Sequence, residues 1–369
     1  MIDPTPPGAE LRSQRVSVVF HFAATLKLEA PLKVGLEMNT RGTQRVLEVV
    51  KGMKNLAAFI HLSTAFCYPD YVRLEEKVHN PPVDPHQVLQ AASWLTEEQM
   101  SILTPSILHL HPNSYTYSKR LAEVLVSECY PQLPAAIVRP SIVTPAYQEP
   151  IPGWVDNLNG PIGLMVGAGK GVIRPSDIPV YNITTGDDRT TTWKDVLDIG
   201  KATGRKYPFE GPLWYPNAYF IDFLMLIFGQ KRFMVRIQKR ISVGLEVLQY
   251  FTTREWWFNT DNFKSLSTVL NPEDNKTFST DISIIEDVPY IENSMIGGKI
   301  YCLKEKMENL PKARFQNNVL YVLDLLVTVL FYLYVLSLIA SYSETVRQIL
   351  KFGGPVTHTL PFVGKTVFI

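Results

Sequence analysis

An α/β chain, with a partial parallel sheet, a mostly helical C-terminal part and a C-terminal transmembrane helix, is what three observations predict. Short apolar runs of strand type alternate with helix-patterned segments. The first two runs end in small or hydroxyl-bearing residues rather than in charges. Near the end of the chain, residues 319–340 are apolar apart from Asp324 and a few hydroxyls.

The first run, Val16-Ser-Val-Val-Phe-His-Phe-Ala-Ala-Thr25, closes on His21 and on Ala23 and Ala24, small residues that let a flat cofactor approach the backbone. A helix follows from Asn39 to Lys51, with Val46, Leu47 and Val50 at helical spacing. The second run, Phe59-Ile-His-Leu-Ser-Thr-Ala-Phe66, stops at Ser63 and Thr64. In an open parallel sheet, ligands sit beyond the carboxyl ends of the strands, so hydroxyls there can hydrogen-bond a substrate carbonyl. The third run, residues 135–143, contains Pro140, which ends the strand or confines it to an edge. Strand, helix, strand, helix, strand implies right-handed crossovers in one parallel sheet.

Between the second and third runs stands Asn113-Ser-Tyr-Thr-Tyr-Ser-Lys-Arg-Leu-Ala-Glu123. On a helix, Tyr115 and Lys119 share one face. A phenol titrates near pH ~10 in water, and an adjacent cation stabilises the phenolate and lowers that value. Reduction of a carbonyl by hydride leaves an oxygen that must collect a proton, and this pair can deliver one. Tyr-x-x-x-Lys also arises by chance on surface helices; its setting among the strands gives it weight here.

Together these features resemble an extended short-chain dehydrogenase/reductase, and in finer detail the alcohol-forming fatty acyl-CoA reductases. The resemblance is carried by Asn39-Thr-Arg-Gly-Thr43, Met53-Lys-Asn55, His61-Leu-Ser-Thr-Ala65, Tyr115-Thr-Tyr-Ser-Lys119, Ile137-Val-Arg-Pro-Ser-Ile-Val143, Pro152-Gly-Trp-Val-Asp-Asn-Leu-Asn-Gly-Pro161 and Val166-Gly-Ala-Gly-Lys-Gly171. A second block continues it through Trp214-Tyr-Pro216, Arg236-Ile-Gln-Lys-Arg240, Arg254-Glu-Trp-Trp-Phe258 and Leu270-Asn-Pro272. The resemblance implies a partial Rossmann-type NAD(P)-binding domain over residues 16–185 and a family-specific domain over 186–316. A disordered start (1–15), the transmembrane helix (317–341) and a tail (342–369) complete the chain.

The same resemblance implies a catalytic trio of Thr64, Tyr115 and Lys119. Tyr115 would give the proton, Lys119 would lower its pKa and hold the nicotinamide ribose, and Thr64 would orient the carbonyl. Ser63 competes for that last role, and Thr64 is preferred because it lies later on the strand exit. Asn39 would be a structural and proton-relay residue, with a polar helix cap as the alternative. Cofactor contacts would fall to Tyr115, Lys119, Ala23, Ala24, Asn39 and Pro140.

A dinucleotide fold opens with a strand and a glycine-rich turn that cradles the pyrophosphate. No such turn stands ahead of Val16, and the proline-rich, polar first fifteen residues read as a linker. The cluster Gly167-Ala-Gly-Lys-Gly171 is no substitute: a phosphate loop would need glycine in place of Leu164 and a hydroxyl in place of Gly171. Relative to the family pattern, the chain also looks shortened at Arg174–Pro175 and Asn217–Ala218. These readings lead to the expectation of an incomplete chain, with weak NADPH affinity and a bare strand edge at residues 17–21.

Composition sets the outer bounds. A net charge of +1 gives no electrostatic case for nucleic acid. Cys67, Cys129 and Cys302 neither pair by spacing nor make a metal motif, which favours a reducing compartment. A Cys67 nucleophile is conceivable for thioester chemistry, but a buried thiol is the commoner outcome. The seven histidines form no metal-ligand spacing. The apolar run at 319–340 is long enough to cross a ~30 Å hydrocarbon layer as a helix, and the flanking basic residues lean towards a cytosolic body. The shorter run at 220–228 suits either a bilayer surface or a core helix.

The function expected is NADPH-dependent reduction of a long-chain fatty acyl-CoA to a primary alcohol, on the membrane of the endoplasmic reticulum or peroxisome. Alternatives are another extended reductase, such as a sterol dehydrogenase or nucleotide-sugar epimerase, or a catalytically silent membrane protein pairing with a complete reductase. Membrane lipid and a second copy of the chain are the other expected partners.

Overall fold

The computed structural model describes residues 15–156 apart from 82, residues 193–210, scattered positions between 222 and 251, and residues 254–342 apart from 255 and 280. Its centre is a parallel sheet of β1 (Val18–His21), β2 (Ala58–Leu62) and, past the two-residue β3 (Arg73–Leu74), β4 (Ala135–Val138). The order is β1-β2-β4, with Val18 opposite Ala58 and Phe59 opposite Ala135. β4 ends two residues before Pro140 and, among the described residues, lies at an edge of the sheet, where the missing proline N–H breaks no ladder. All three strands are shorter than the apolar runs that announce them, because the residues beyond each carboxyl end form the site described below. Among the described residues β1 has a partner on one side only, and Phe20 and Phe22 beside it are exposed.

Helix α1 (Leu32–Gly35) passes through a π-helical turn (Leu36–Arg41) into α2 (Gly42–Lys51). The expected helix from Asn39 therefore starts earlier, and Asn39 lies in the wide turn rather than at a cap. Two further helices, α3 (Pro85–Trp94) and α4 (Glu97–Leu108), precede α5 (Ser114–Ser127), which carries Tyr115 and Lys119. Asp84 accepts the amide of His86 at 2.8 Å to cap α3, and Thr96 and Gln99 close a reciprocal capping box on α4. Leu36, Leu47, Val50, Phe59, Leu89, Tyr117 and Leu121 form the core under the sheet. Burial of one such side chain contributes about 1.5–3 kcal/mol, so this cluster fixes α5 against β2.

The C-terminal region supplies α6 (Trp193–Lys206), β5 (Trp257–Phe258), α7 (Asp261–Val269), α8 (Pro272–Thr277), α9 (Asp287–Gly297) and α10 (Leu310–Tyr342). Several contacts among the described residues join it to the first region. β5 pairs in parallel with β3. The Glu76 carboxylate accepts the backbone N–H groups of Asn262 and Phe263 at 2.5 and 3.1 Å, capping α7 from a distant loop. Gly153, at φ +79°, meets α9 so closely that a Cβ on Gly297 would stand 1.6 Å from its carbonyl oxygen.

Among the described residues no helix is long and apolar enough to cross a membrane. The expected transmembrane span therefore gains no support: the side chains at positions 320, 323, 324 and 340–342 lie outside the description, so the described apolar run is interrupted. The backbone is nonetheless one helix of 33 residues. Its first turns dock on α6, where Ala313 is buried and Arg314 donates twice to the Lys206 carbonyl at 3.0 and 2.7 Å. From Tyr321 to Ile339 most of its described side chains are apolar and exposed. The run at 220–228, the glycine cluster at 167–171 and the first fourteen residues fall wholly or largely outside the described residues.

Candidate active site

The site lies where β2 ends against the first turns of α5. The Asn113 side chain accepts the amide of Thr116 at 3.0 Å, starting α5 so that Tyr115, Lys119 and Glu123 follow along one face. Thr64 is buried two residues past the end of β2, and its hydroxyl lies beside the Tyr115 phenol, close enough to oppose part of the rise in that phenol's pKa. The Ser63 hydroxyl, by contrast, is buried without a well-formed hydrogen bond and sits beside the Cys67 thiol. The geometry thus puts Thr64, not Ser63, against the tyrosine.

Lys119 is 3% exposed and donates from Nζ to the Leu62 carbonyl at 2.7 Å. Burial lowers its pKa to about 8, against the raising influence of Glu123. Tyr115 moves the other way: burial raises its pKa, only partly opposed by the Thr64 hydroxyl. The expected lowering of Tyr115 by Lys119 is not found, because the ammonium is directed at the Leu62 carbonyl. Tyr115 is accordingly a protonated phenol near neutrality, the form that can donate.

Asn39 is 1% exposed and joins three segments. Its Oδ1 accepts the Thr25 amide at 2.8 Å, its Nδ2 donates to the Thr25 carbonyl at 3.3 Å, and the same Nδ2 donates to Ser118 Oγ at 3.0 Å. Ser118 in turn donates to the Tyr115 carbonyl at 3.0 Å. Asn39 therefore imitates a strand neighbour for the loop that carries Ala23 and Ala24 and ties it to the tyrosine helix. Ala23 is exposed and Ala24 half-buried, leaving that loop open at the strand exit. Pro140 contributes its carbonyl, which accepts the Ala65 amide at 2.9 Å and extends the β2–β4 pairing past both strands.

Cys67 is fully buried, donates to Glu123 Oε1 at 3.3 Å, and burial holds its pKa well above the usual thiol value. It is a structural thiol, and the nucleophile reading is set aside on that geometry. Glu123, Arg139, Tyr68 and His61 were not singled out by sequence reasoning. The signal for Glu123 was available, since it continues the one-turn spacing of Tyr115 and Lys119. His61 is fully buried, neither ring nitrogen finding a partner among the described residues, and its ring is 5.3 Å from that of His21. Its pKa falls to about 3 through burial first, then the charges of Lys119 and His21.

The donor set at the sheet exit fits the nicotinamide ribose end of a dinucleotide: Tyr115 and Lys119 would hold the ribose, and the small residues Ala23 and Ala24, exposed and half-buried, would let the ring approach the backbone. A glycine-rich pyrophosphate turn is not among the described residues. Nor, among them, do three or more His, Cys, Asp or Glu side chains cluster to hold a metal ion.

Comparison with known proteins is consistent with this construction. Residues 7–187 match the NAD-binding family described as Male sterility protein, and residues 214–305 match the Sterile family of the same description. Fatty acyl-CoA reductase 1 of Gallus gallus is 32% identical over 371 residues, covering 86% of this chain and 72% of that protein. Fatty acyl-CoA reductase 1 of Rattus norvegicus is 33% identical over 363 residues, covering 84% and 70%. Fatty acyl-CoA reductase 2 of Mus musculus is 31% identical over 390 residues, covering 91% and 76%. Among solved structures, the terminal R domain of a myxalamid PKS-NRPS pathway aligns at TM-score 0.45 and 14% identity over 80% of this chain and 71% of that one, a likeness too distant to carry an argument. With both domain families matched in order, and identity sustained over most of each relative, the chain belongs to the fatty acyl-CoA reductase family.

Proposed function

We propose that this chain is an oxidoreductase that reduces long-chain fatty acyl-CoA to the primary alcohol with NADPH. The observation that carries the reading is the placement of Tyr115 and the buried Lys119 one turn apart on α5 against the buried Thr64 at the carboxyl end of β2, in a chain of this family. When bound, NADPH would supply one hydride at each of two stages: thioester to aldehyde, with the C–S bond broken and CoA leaving as its thiol, then aldehyde to alcohol. The protein's part is to hold the carbonyl and manage its proton. Thr64 orients the carbonyl oxygen towards Tyr115, and Tyr115 donates its phenolic proton as negative charge develops there. Lys119, charged below about pH 8 and anchored on the Leu62 carbonyl, brings a buried positive charge to the site. Lys119 and Tyr115 also hold the ribose, while Ala23, Ala24 and Pro140 leave room for the nicotinamide ring.

The substrate's chain length and the choice of NADPH over NADH belong to this proposal, as does a membrane setting. Support for that setting is α10, whose exposed apolar surface has no counterpart in the rest of the described fold. We place the catalytic body on the cytosolic face of the endoplasmic reticulum or peroxisome, anchored by this helix.

The test is Tyr115→Phe in membranes or detergent, with palmitoyl-CoA and NADPH or NADH and product alcohol measured. Loss of about 100-fold or more in turnover is expected from removal of the general acid. Near-normal alcohol formation by the variant would remove the basis of the proposal.

A further inference from the structure

On the face of α5 that carries Tyr115 and Lys119, one turn further on, the Glu123 carboxylate is completely buried and fully engaged. Its Oε1 accepts from Arg139 Nε at 2.8 Å and from the Cys67 thiol at 3.3 Å; its Oε2 accepts from Arg139 Nη2 at 2.6 Å and from the Tyr68 hydroxyl at 2.8 Å. A carboxylate in that position costs several kcal/mol of desolvation, so a fold retains one only with such complete pairing. What it pairs with is the informative part. Cys67 and Tyr68 lie three and four residues past Thr64, on the loop that leaves β2. Arg139 is the first residue after β4, and its guanidinium also donates to the carbonyls of Glu75 and Lys77 at 3.0 and 2.9 Å. The Tyr68 ring is held between two guanidinium groups, Arg120 at 4.7 Å and Arg139 at 4.8 Å.

We infer that Glu123 is a positioning residue of the reductase site: it pins the loop carrying Thr64 to the helix carrying Tyr115 and Lys119, and it supplies the negative charge that keeps Lys119 protonated. The inference rests on the assignment of Tyr115, Lys119 and Thr64 given above. It follows from connectivity, since the two catalytic segments are joined through one side chain on which four donors converge. It also follows from charge. The titratable groups facing Lys119 are His21 on β1, His61 on β2, Cys67 beyond β2 and Glu123 on its own helix; burial lowers the pKa of both histidines and raises that of the thiol, while the Glu123 carboxylate is ion-paired with Arg139 at 2.6 Å. Burial drives the Lys119 proton off, and Glu123 is the main influence retaining it.

Two substitutions separate the two halves of the role. Glu123→Gln keeps the shape and removes the charge; the alkaline limb of the kcat/KM profile should then move to lower pH. Glu123→Asp keeps the charge and withdraws the carboxylate by one methylene. Here the limb should stay in place while kcat falls by about 10- to 100-fold through displacement of Thr64, with KM for acyl-CoA changing less than about threefold. Hydrogen exchange of the peptide covering residues 63–72 should accelerate in both variants relative to residues 42–51, a readout that needs no turnover. Tyr115→Phe serves as the reference. If that variant stays active, the reductase-site reading fails. If it is inactive while both Glu123 variants keep the parent's kcat, pH limb and exchange, the positioning role fails. Should Glu123→Gln not fold, the Glu123→Gln, Arg139→Met pair leaves no unpaired buried charge, and its alkaline limb must still lie below the parent's for the inference to stand.

Discussion

His61 shows how a single buried side chain can set acid tolerance. Burial, with both ring nitrogens finding no partner among the described residues, keeps the ring neutral in the folded protein down to about pH 3, whereas the unfolded chain takes up a proton near pH 6.5. The folded pKa lies below the unfolded one, and between the two values the unfolded state binds more protons; stability therefore falls as pH drops through that window, by up to about 1.4 kcal/mol per unit. His61→Leu should shift the acid-unfolding midpoint, followed by circular dichroism, to lower pH. At pH 8 it should change stability by less than about 1.5 kcal/mol, because no hydrogen bond is lost. An unmoved midpoint would mean that other groups govern acid unfolding. The mirror case is Lys119, whose lowered pKa of about 8 predicts that kcat/KM falls off on the alkaline side near that value if its charge is needed; a profile flat to pH 10 would show that the charge is dispensable. The placement of Tyr115 and Lys119 along one helix, and of Thr64 just past a strand end, was legible in the sequence because helical spacing and strand exits are local properties. The downward shift of Tyr115 expected from Lys119 was not, since it depends on where a flexible ammonium turns, and the nearest acceptor is the carbonyl of Leu62. Glu123 escaped notice for a related reason: its partners Cys67 and Tyr68 stand more than fifty residues away.

At the scale of elements, the three strands and the Tyr115 helix could be read from apolar runs and periodicity, although the strands end sooner than the runs suggest. Helix α4 could not, because Met100 is its only buried residue and its apolar period is faint. The pairing of β3 with β5 was equally hidden, joining two-residue segments far apart in sequence. The seam between Gly153 and Gly297 belongs with them: Gly153 stands in a segment that carries the resemblance and Gly297 in none, and neither local sequence announces that backbone meets backbone there. Gly297→Ala should force α9 away from the turn at 145–154 and cost about 1–3 kcal/mol or more. Gly153→Ala should be similarly damaging, since its Cβ would meet the Asn293 carbonyl oxygen at 2.0 Å and its φ is positive. The informative contrast is Gly200→Ala on α6, where nothing lies within 4 Å and helix propensity favours alanine by about 0.5–1 kcal/mol. Thermal unfolding should thus rank Gly200→Ala at or above the parent and the other two below it. Equal midpoints for all three would show that the seam is not a close contact in solution.

For the whole molecule, the unresolved balance is between the compact body and α10. A helix of 33 residues is about 50 Å long at ~1.5 Å per residue, longer than the ~30 Å hydrocarbon layer. Its base is fixed to the body by Ala313 and by Arg314 on the α6 carbonyl, so the remainder must project from that point rather than fold back as a core element. Leu325, Leu326, Leu330, Phe331, Leu333 and Leu336 are exposed on it, which in water exceeds what a monomeric surface ordinarily leaves uncovered. Deleting residues 319–369 should therefore transfer the protein from carbonate-washed membranes to the soluble fraction while leaving the thermal unfolding of the body within a few degrees of the parent. If the shortened chain still sediments with membranes, α10 is not the anchor and the apolar run at 220–228 becomes the segment to remove next. If the full chain is already soluble and dimeric, the exposed face of α10 is covered by a second copy and the membrane proposal falls.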